Sequence, residues 1–178
     1  MQQYEVLELI EDTQFRLIQD YPFLEAWSVG FDRAKRRAGV CKLNSKEICI
    51  SYQHIENNYN DVVLDTLLHE FAHAIAFELY QDRGHGRRWK EIASLIGAAP
   101  KATGKFNLPD SPWMLVSVCN IDSKVEKITP RYRRNKNIRH YALRGNPGSK
   151  GSLYYVKTEA LDAYEKGMLK FEQLEFVQ

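Results

Sequence analysis

Cysteine is scarce in this chain: three in 178 residues, at Cys41, Cys49 and Cys119. An odd, dispersed set excludes a disulfide framework and points to a reducing compartment. No C-x-x-C pair occurs, so a structural zinc held by paired thiolates is not expected. No apolar run reaches the roughly 18–20 residues that span a bilayer. The opening residues, Met1 to Ile10, carry Glu5 and Glu8 where a secretory leader would be basic. A cytoplasmic or nucleoid-associated chain, neither secreted nor in contact with a membrane, is therefore expected. Net charge is low too, +2 at pH 7, and that small total conceals a strong asymmetry between the two ends of the chain. A chain of this length can bury one adequate core, or a catalytic core with a small appendage.

Glycine and proline are both missing between Val62 and Leu79. Within that stretch Val63, Leu64, Leu67, Leu68, Phe71, Ala74, Ile75 and Leu79 recur at the three-to-four-residue spacing of one buried helical face. The same stretch contains His69-Glu70-Phe71-Ala72-His73, an H-E-x-x-H pentapeptide. Residues four apart on a helix lie one turn above each other, so His69 and His73 can present their imidazoles to one ion. That is half of a tetrahedral zinc site. Glu70 then lies beside the ion, placed to accept a proton from activated water as a general base.

A zinc hydrolase needs a third protein ligand and an open fourth position. After the helix comes Arg83-Gly84-His85-Gly86-Arg87-Arg88-Trp89-Lys90. The flanking glycines let the backbone turn sharply and return His85 towards the helix, so His85 is assigned as the third ligand. Glu91 is its rival. Glu78 lies five residues beyond His73 on another helical face and cannot join the same ion. Trp89 reads as a packing anchor for the His85 loop. The donor that would stabilise an oxyanion stays open among His54, Tyr59, Tyr132 and His140.

Along the chain the order is α, then β, then α. Residues 2–19 repeat Tyr4, Leu7, Ile10, Phe15 and Ile18 at roughly helical spacing and stop near Tyr21-Pro22. Segments 26–31, 37–43 and 47–52 read as strands of a small antiparallel sheet, with a turn at Asn44-Ser45. Cys41 and Cys49 fall in neighbouring strands as small buried residues. Residues 53–60 are polar and end at Asn60, a suitable N-cap for a helix to about residue 81. Residues 86–97 form the next helix, with Trp89, Ile92 and Ile96 inward. Pro100, Gly104, Pro109 and Pro112 then punctuate a linker or strap, assigned to residues 101–118 between a core at 1–100 and a C-terminal module at 119–178.

Acidic residues are nearly absent from that module's centre. Between Lys124 and Lys157 ten Lys or Arg face one acid, Glu126, a surplus of nine that leaves the rest of the chain at minus seven. Lys124, Lys127, Arg131, Arg133, Arg134, Lys136, Arg139 and Arg144, interleaved with Tyr132, Tyr141, Tyr154 and Tyr155, suit a phosphate backbone with stacking bases. An acidic protein partner is the competing reading. Arg33, Lys35, Arg36 and Arg37 could extend such a track, or form a charged turn between strands. A final helix is expected over 158–176.

His69-Glu70-x-x-His73-Ala74, then Gly84-His85-Gly86-x-x-Trp89-Lys90 with eleven residues between His73 and His85, and Ile96-Gly97 together resemble the SprT-like metalloproteases, the group that includes the Spartan proteases acting on DNA-protein crosslinks. Upstream, Arg37 to Leu43 and Glu47 to Ser51 look like the paired strands that precede the metal helix in that family. The resemblance covers roughly residues 5 to 100. It implies an α+β, zincin-like core with one Zn2+ on His69, His73 and His85, Glu70 as general base, and a protein substrate. In such relatives the C-terminal region is often a zinc ribbon on paired cysteines. Here Tyr141 to Asn146 and Leu153 to Val156 have strand and turn character without those cysteines. The expectation is a monomeric zinc metalloendopeptidase recruited to DNA to cleave proteins attached to it. The alternative is a DNA- or protein-binding adaptor whose zinc site is structural or idle.

Overall fold

A computed structural model describes residues 3–119 and 124–178; the expected helix start at residue 2 lies outside the described residues. The fold is mixed α+β, in two compact units, Met1–Pro109 and Asp110–Gln178.

The first unit opens with helix α1 (Gln3–Asp20). Its buried stripe is Val6, Ile10, Thr13 and Leu17, spaced by four, three and four residues as one helical face requires. This corrects the face expected from the larger side chains: Tyr4 is 66% and Phe15 71% exposed. Thr13, small and polar, sits in the middle of the true stripe. Gln14 ties the helix to the following 3-10 turn, its Nε2 donating to the carbonyls of Leu24 at 3.1 Å and Trp27 at 2.9 Å.

Strands β1 (Ser28–Asp32), β2 (Gly39–Lys42) and β3 (Glu47–Ser51) form a sheet in the order β1-β3-β2. It is mixed rather than antiparallel as expected: β2 pairs antiparallel with β3, but β1 runs parallel to β3 with Ser28 opposite Glu47 and Asp32 opposite Ser51. The tight turn before β3, closed by Lys46 at φ 50°, reverses the chain between β2 and β3. Residues 33–38 carry it from β1 across to the far edge instead. Central β3 is consequently buried on both faces, through Ile48, Cys49, Ile50 and Ser51.

Residues 53–60 are not a polar loop throughout. Ser51 caps a short helix α2 (Tyr52–Asn57), its hydroxyl accepting from the Gln53 and His54 N–H groups. Helix α3 (Asn60–Tyr80) follows with Tyr59 at the N-cap position and no side-chain cap, so Asn60 is its first residue rather than its cap. It ends where Gln81 turns left-handed and its N–H returns to the carbonyls of Ala76 and Phe77. Val63, Leu67, Phe71, Ala74 and Ile75 are fully buried among Trp27, Leu24 and Trp89, whereas Leu79 in the last turn is exposed. Helix α4 (Arg87–Ile96) buries Trp89, Ile92 and Ile96 on the same core and stops at Gly97, whose φ of 94° an L side chain resists.

In the second unit the expected linker gives way early, because residues 113–119 are strand. β4 (Trp113–Cys119) is the centre of an antiparallel sheet, flanked by β5 (Lys124–Arg131) and β6 (Leu153–Lys157). Two apolar clusters cover its faces without cysteine pairs. One joins Val116, Val118 and Val156 to Leu161 and Leu174; the other joins Leu115, Leu153 and Tyr155 to Ile138. The helix expected over 158–176 is only α5 (Thr158–Glu165). Gly167, at φ 72°, ends its regular path. Among the described residues no helix is long and apolar enough to cross a membrane.

Candidate metal centre

Helix α3 presents Asp65, Thr66, His69, Glu70 and His73 to a cleft of about 1030 Å³ in the first unit. Asp65, Thr66, His69 and His73 lie away from the buried stripe, so the periodicity that drives the helix into the core also aims these polar groups at the cleft, while Glu70 at the edge of the stripe is itself buried. The loop before α4 brings His85 back over the helix. His85 Nε2 lies 3.0 Å from His73 Nε2 and 3.1 Å from His69 Nε2. Trp89 packs against all three imidazoles, at 4.7 Å from the His69 ring, 5.3 Å from His73 and 4.5 Å from His85.

Three half-buried imidazole nitrogens meeting at one point can hold a metal ion. A tetrahedral zinc with bonds of about 2.0–2.1 Å separates its ligands by about 3.3–3.4 Å, so small adjustments would complete the triad. The electrostatics agree with that use. His73 is pushed down to about 4, by burial first and then by His69 and His85. His69 and His85 are lowered chiefly by burial as well. All three are thereby kept neutral, the form that binds metal. Glu91 is removed as a rival ligand, since it accepts from Arg87 Nε at 2.8 Å on the exposed face of α4. Glu78 is held elsewhere by Lys46 and the Trp27 indole N–H.

Glu70 is buried beside the triad, and burial pushes its carboxyl up to about 7, with Arg37 and the Cys41 N–H pulling in the opposite direction. Gly39 of β2 explains how it fits. A Cβ there would stand 2.9 Å from Glu70 Cγ and 3.1 Å from Thr66 Cγ2, so the edge strand can lie against the helix only where it has no side chain. The Cys41 thiol, in the same wall, is driven far up by burial and by Glu70. Cys41 is only half-buried, against the expectation that both thiols are buried, whereas Cys49 is buried in the centre of the sheet with its Sγ donating to Glu47 Oε1 at 3.3 Å.

A profile of the SprT-like family matches residues 4–111. The chain belongs to the SprT-like family. Protein SprT of Pseudomonas putida strain W619 is 33% identical over 66 residues, and Protein SprT of Pseudomonas entomophila strain L48 is 32% identical over the same length. Each match spans 36% of this chain and 40% of the relative. The profile covers nearly the whole of the unit that carries the three histidines, from α1 through α4 and the segment that follows it.

Residues 99–107 form a tied strap along this SprT-like cleft. The Ala99 N–H donates to Asp65 Oδ1 at 2.7 Å, and Asn107 exchanges hydrogen bonds with Asn58 at 2.7 and 3.0 Å. His54, one of four candidate oxyanion donors, is committed elsewhere. It is buried against Phe106, with Nε2 3.0 Å from Thr66 Oγ1 and Nδ1 3.2 Å from Asn58 Nδ2. Tyr59 is 82% exposed, and Tyr132 and His140 belong to the second unit. Arg37, which its sequence surroundings mark only as a turn or track residue, reaches the cleft and is ion-paired with Asp32. Its Nη1 is buried without a hydrogen-bond partner. Only its position after a strand and two residues before Gly39 could have marked it.

In the second unit, Lys124, Lys127 and Arg131 lie on β5. Lys127 stands opposite Val116, on the α5 side, and contacts Glu165 at 2.6 Å and Asp162 at 3.6 Å. Arg131 stands opposite Trp113 on the other face, where the Arg134 guanidinium covers the Trp113 ring at 4.6 Å. Arg133, Arg134, Lys136, Arg139 and Arg144 are exposed in the excursion between β5 and β6.

Proposed function

We propose that this chain is a zinc-dependent endopeptidase with a zincin-type core, acting on proteins associated with DNA. The observation that carries the catalytic part is the convergence of three imidazole Nε2 atoms beside a buried carboxylate in an open cleft. His69, His73 and His85, which all line the cleft, would hold the ion. Zinc held there supplies Lewis acidity, lowering the pKa of water towards 7 and polarising a carbonyl.

The chain's own residues do the rest. Glu70, kept near neutrality by its apolar surroundings, takes a proton from the attacking water and returns it to the nitrogen of the departing amine. Gly39, by leaving room against β2, fixes the position of that carboxylate. Edge strand β2 borders the cleft, giving room for an extended polypeptide beside it. Family membership supports the same chemistry. Recruitment to DNA rests on the exposed cations of residues 133–144 and on the charge asymmetry of the chain.

Cleavage of an unstructured protein by the zinc-loaded chain, with and without DNA, tests the reading. The Glu70→Gln variant retains zinc and loses nearly all cleavage. Equal activity in that variant removes Glu70 from the reaction, and zinc retention with no cleavage by either protein favours the adaptor reading.

A further inference from the structure

The cleft wall is cationic in a unit that is not. Residues 1–109 hold thirteen Lys or Arg against fifteen Asp or Glu. Yet Arg36, Arg37, Arg83, Lys101 and Lys105 line the cleft against only Asp65 and Glu70. Asp65 is already used, accepting from the Ala99 N–H. Among the described residues no ion pair holds Arg36, Arg83, Lys101 or Lys105. The cations come from three separate segments: the turn before β2, the loop before His85, and the tied strap. All three segments line the cleft that His69, His73 and His85 also line. Arg37 adds a second kind of observation, a buried Nη1 donor with no acceptor. A buried donor without an acceptor is costly, and it marks Arg37 as a strained part of this wall.

We infer that the cleft selects extended polypeptide segments rich in Asp and Glu, with Lys101 and Lys105 on the strap and Arg36, Arg37 and Arg83 on the facing walls receiving their carboxylates. Cations of one sign lining a concave wall focus their field on the occupant. Side chains of an extended chain alternate in direction, so carboxylates from one segment reach both walls. The inference rests on the proposed peptidase function only in taking the occupant to be a polypeptide.

The test uses the zinc-loaded, full-length Glu70→Gln variant, which binds without cleaving, and three fluorescein-labelled decapeptides of matched length bearing alternate Glu, Gln or Lys. Fluorescence anisotropy reads affinity. The Glu peptide binds about tenfold more tightly than the Gln peptide, since each exposed pair contributes up to about fivefold. Adding Lys101→Glu and Lys105→Glu brings the ratio to within about threefold. Both lysines are exposed, and zinc content with circular dichroism verifies the fold. Should the double variant misfold, the three-peptide comparison on the intact cleft still decides. Equal affinity for Glu and Gln peptides overturns the inference. So does a thymidine oligonucleotide whose binding, rather than the peptide's, falls with the strap substitutions; the wall is then a nucleic-acid surface. If the wild type cleaves no peptide while the acidic preference persists, the peptidase function falls and the acidic selectivity stands. Cleavage without that preference leaves the peptidase function standing and overturns the selectivity.

Discussion

Replacing Gly39 by alanine introduces a methyl group where Glu70 already lies. The new Cβ would meet Glu70 Cγ at 2.9 Å, Glu70 Oε1 at 3.0 Å and Thr66 Cγ2 at 3.1 Å, against 3.4–4 Å for ordinary contact. Roughly half an ångström must therefore open between β2 and α3, or Glu70 must leave its position. Neither is cheap, because Glu70 is buried. Overpacking of this kind costs about 1–3 kcal/mol, which lowers the melting temperature by several degrees. The larger effect falls on turnover, since a base displaced by up to about 1 Å loses as much as about a hundredfold in rate. Zinc stoichiometry stays unchanged, because none of the three histidines touches Gly39 in this way. Gly30→Ala is the control, with nothing within 4 Å of its new Cβ. Turnover of a fluorogenic peptide, zinc analysis and a thermal melt on both variants complete the experiment. Wild-type kcat in Gly39→Ala refutes the argument that close strand–helix approach positions the base.

Removing the third ligand by His85→Ala lowers zinc occupancy in metal analysis while far-ultraviolet circular dichroism stays helical, because α3 is held by its apolar core; undiminished zinc retention removes His85 from the site. Buried His54 is held below its ordinary pKa by burial, and the groups facing it, Thr66, Asn58 and Phe106, carry no charge. A depressed folded-state pKa means that its contribution is complete above the unfolded value of about 6.5 and is lost as pH falls through the folded one. Stability of the zinc-loaded protein then declines on acidification below about pH 6.5, and His54→Gln flattens that slope in urea titrations; an unchanged slope disproves the assignment. DNA affinity falls steeply with salt and weakens on charge reversal at Arg133, Lys136 and Arg139. Lys127→Ala leaves it nearly unchanged, because Asp162 and Glu165 occupy that ammonium; an equal loss at Lys127 contradicts the structural separation of these residues.

The features legible in the linear chain are those set by neighbours within one helical turn or one loop. Two histidines four apart on an uninterrupted helix share a face in any fold that keeps the helix, and two glycines around His85 permit its return. The extents of α3 and α4 and the three strands of the first sheet follow from the same short-range periodicity. The face of α1 is not legible in this way, because side-chain size does not report burial: Thr13 lies inward and Phe15 outward, a choice made by the partner surface rather than by the residue. The strand order β1-β3-β2 is hidden for a related reason, since alternation marks a strand without naming its neighbour.

What only the tertiary structure decided is everything that depends on segments distant in sequence meeting. Gly39 acquires its role from Glu70, thirty-one residues later, and Arg37 comes to the cleft of the three histidines through a turn whose composition reads simply as charged. The strap brings Lys101 and Lys105 to the cleft that His69 and His85 also line, because Asp65 and Asn58 hold its two ends. A helix and its ligand spacing are properties of local backbone geometry, which the sequence carries by itself. The depth of Glu70, the identity of the cations around it and the pairing of Lys127 with α5 arise from long-range packing, in which each side chain's environment is supplied by residues that its own neighbourhood does not specify.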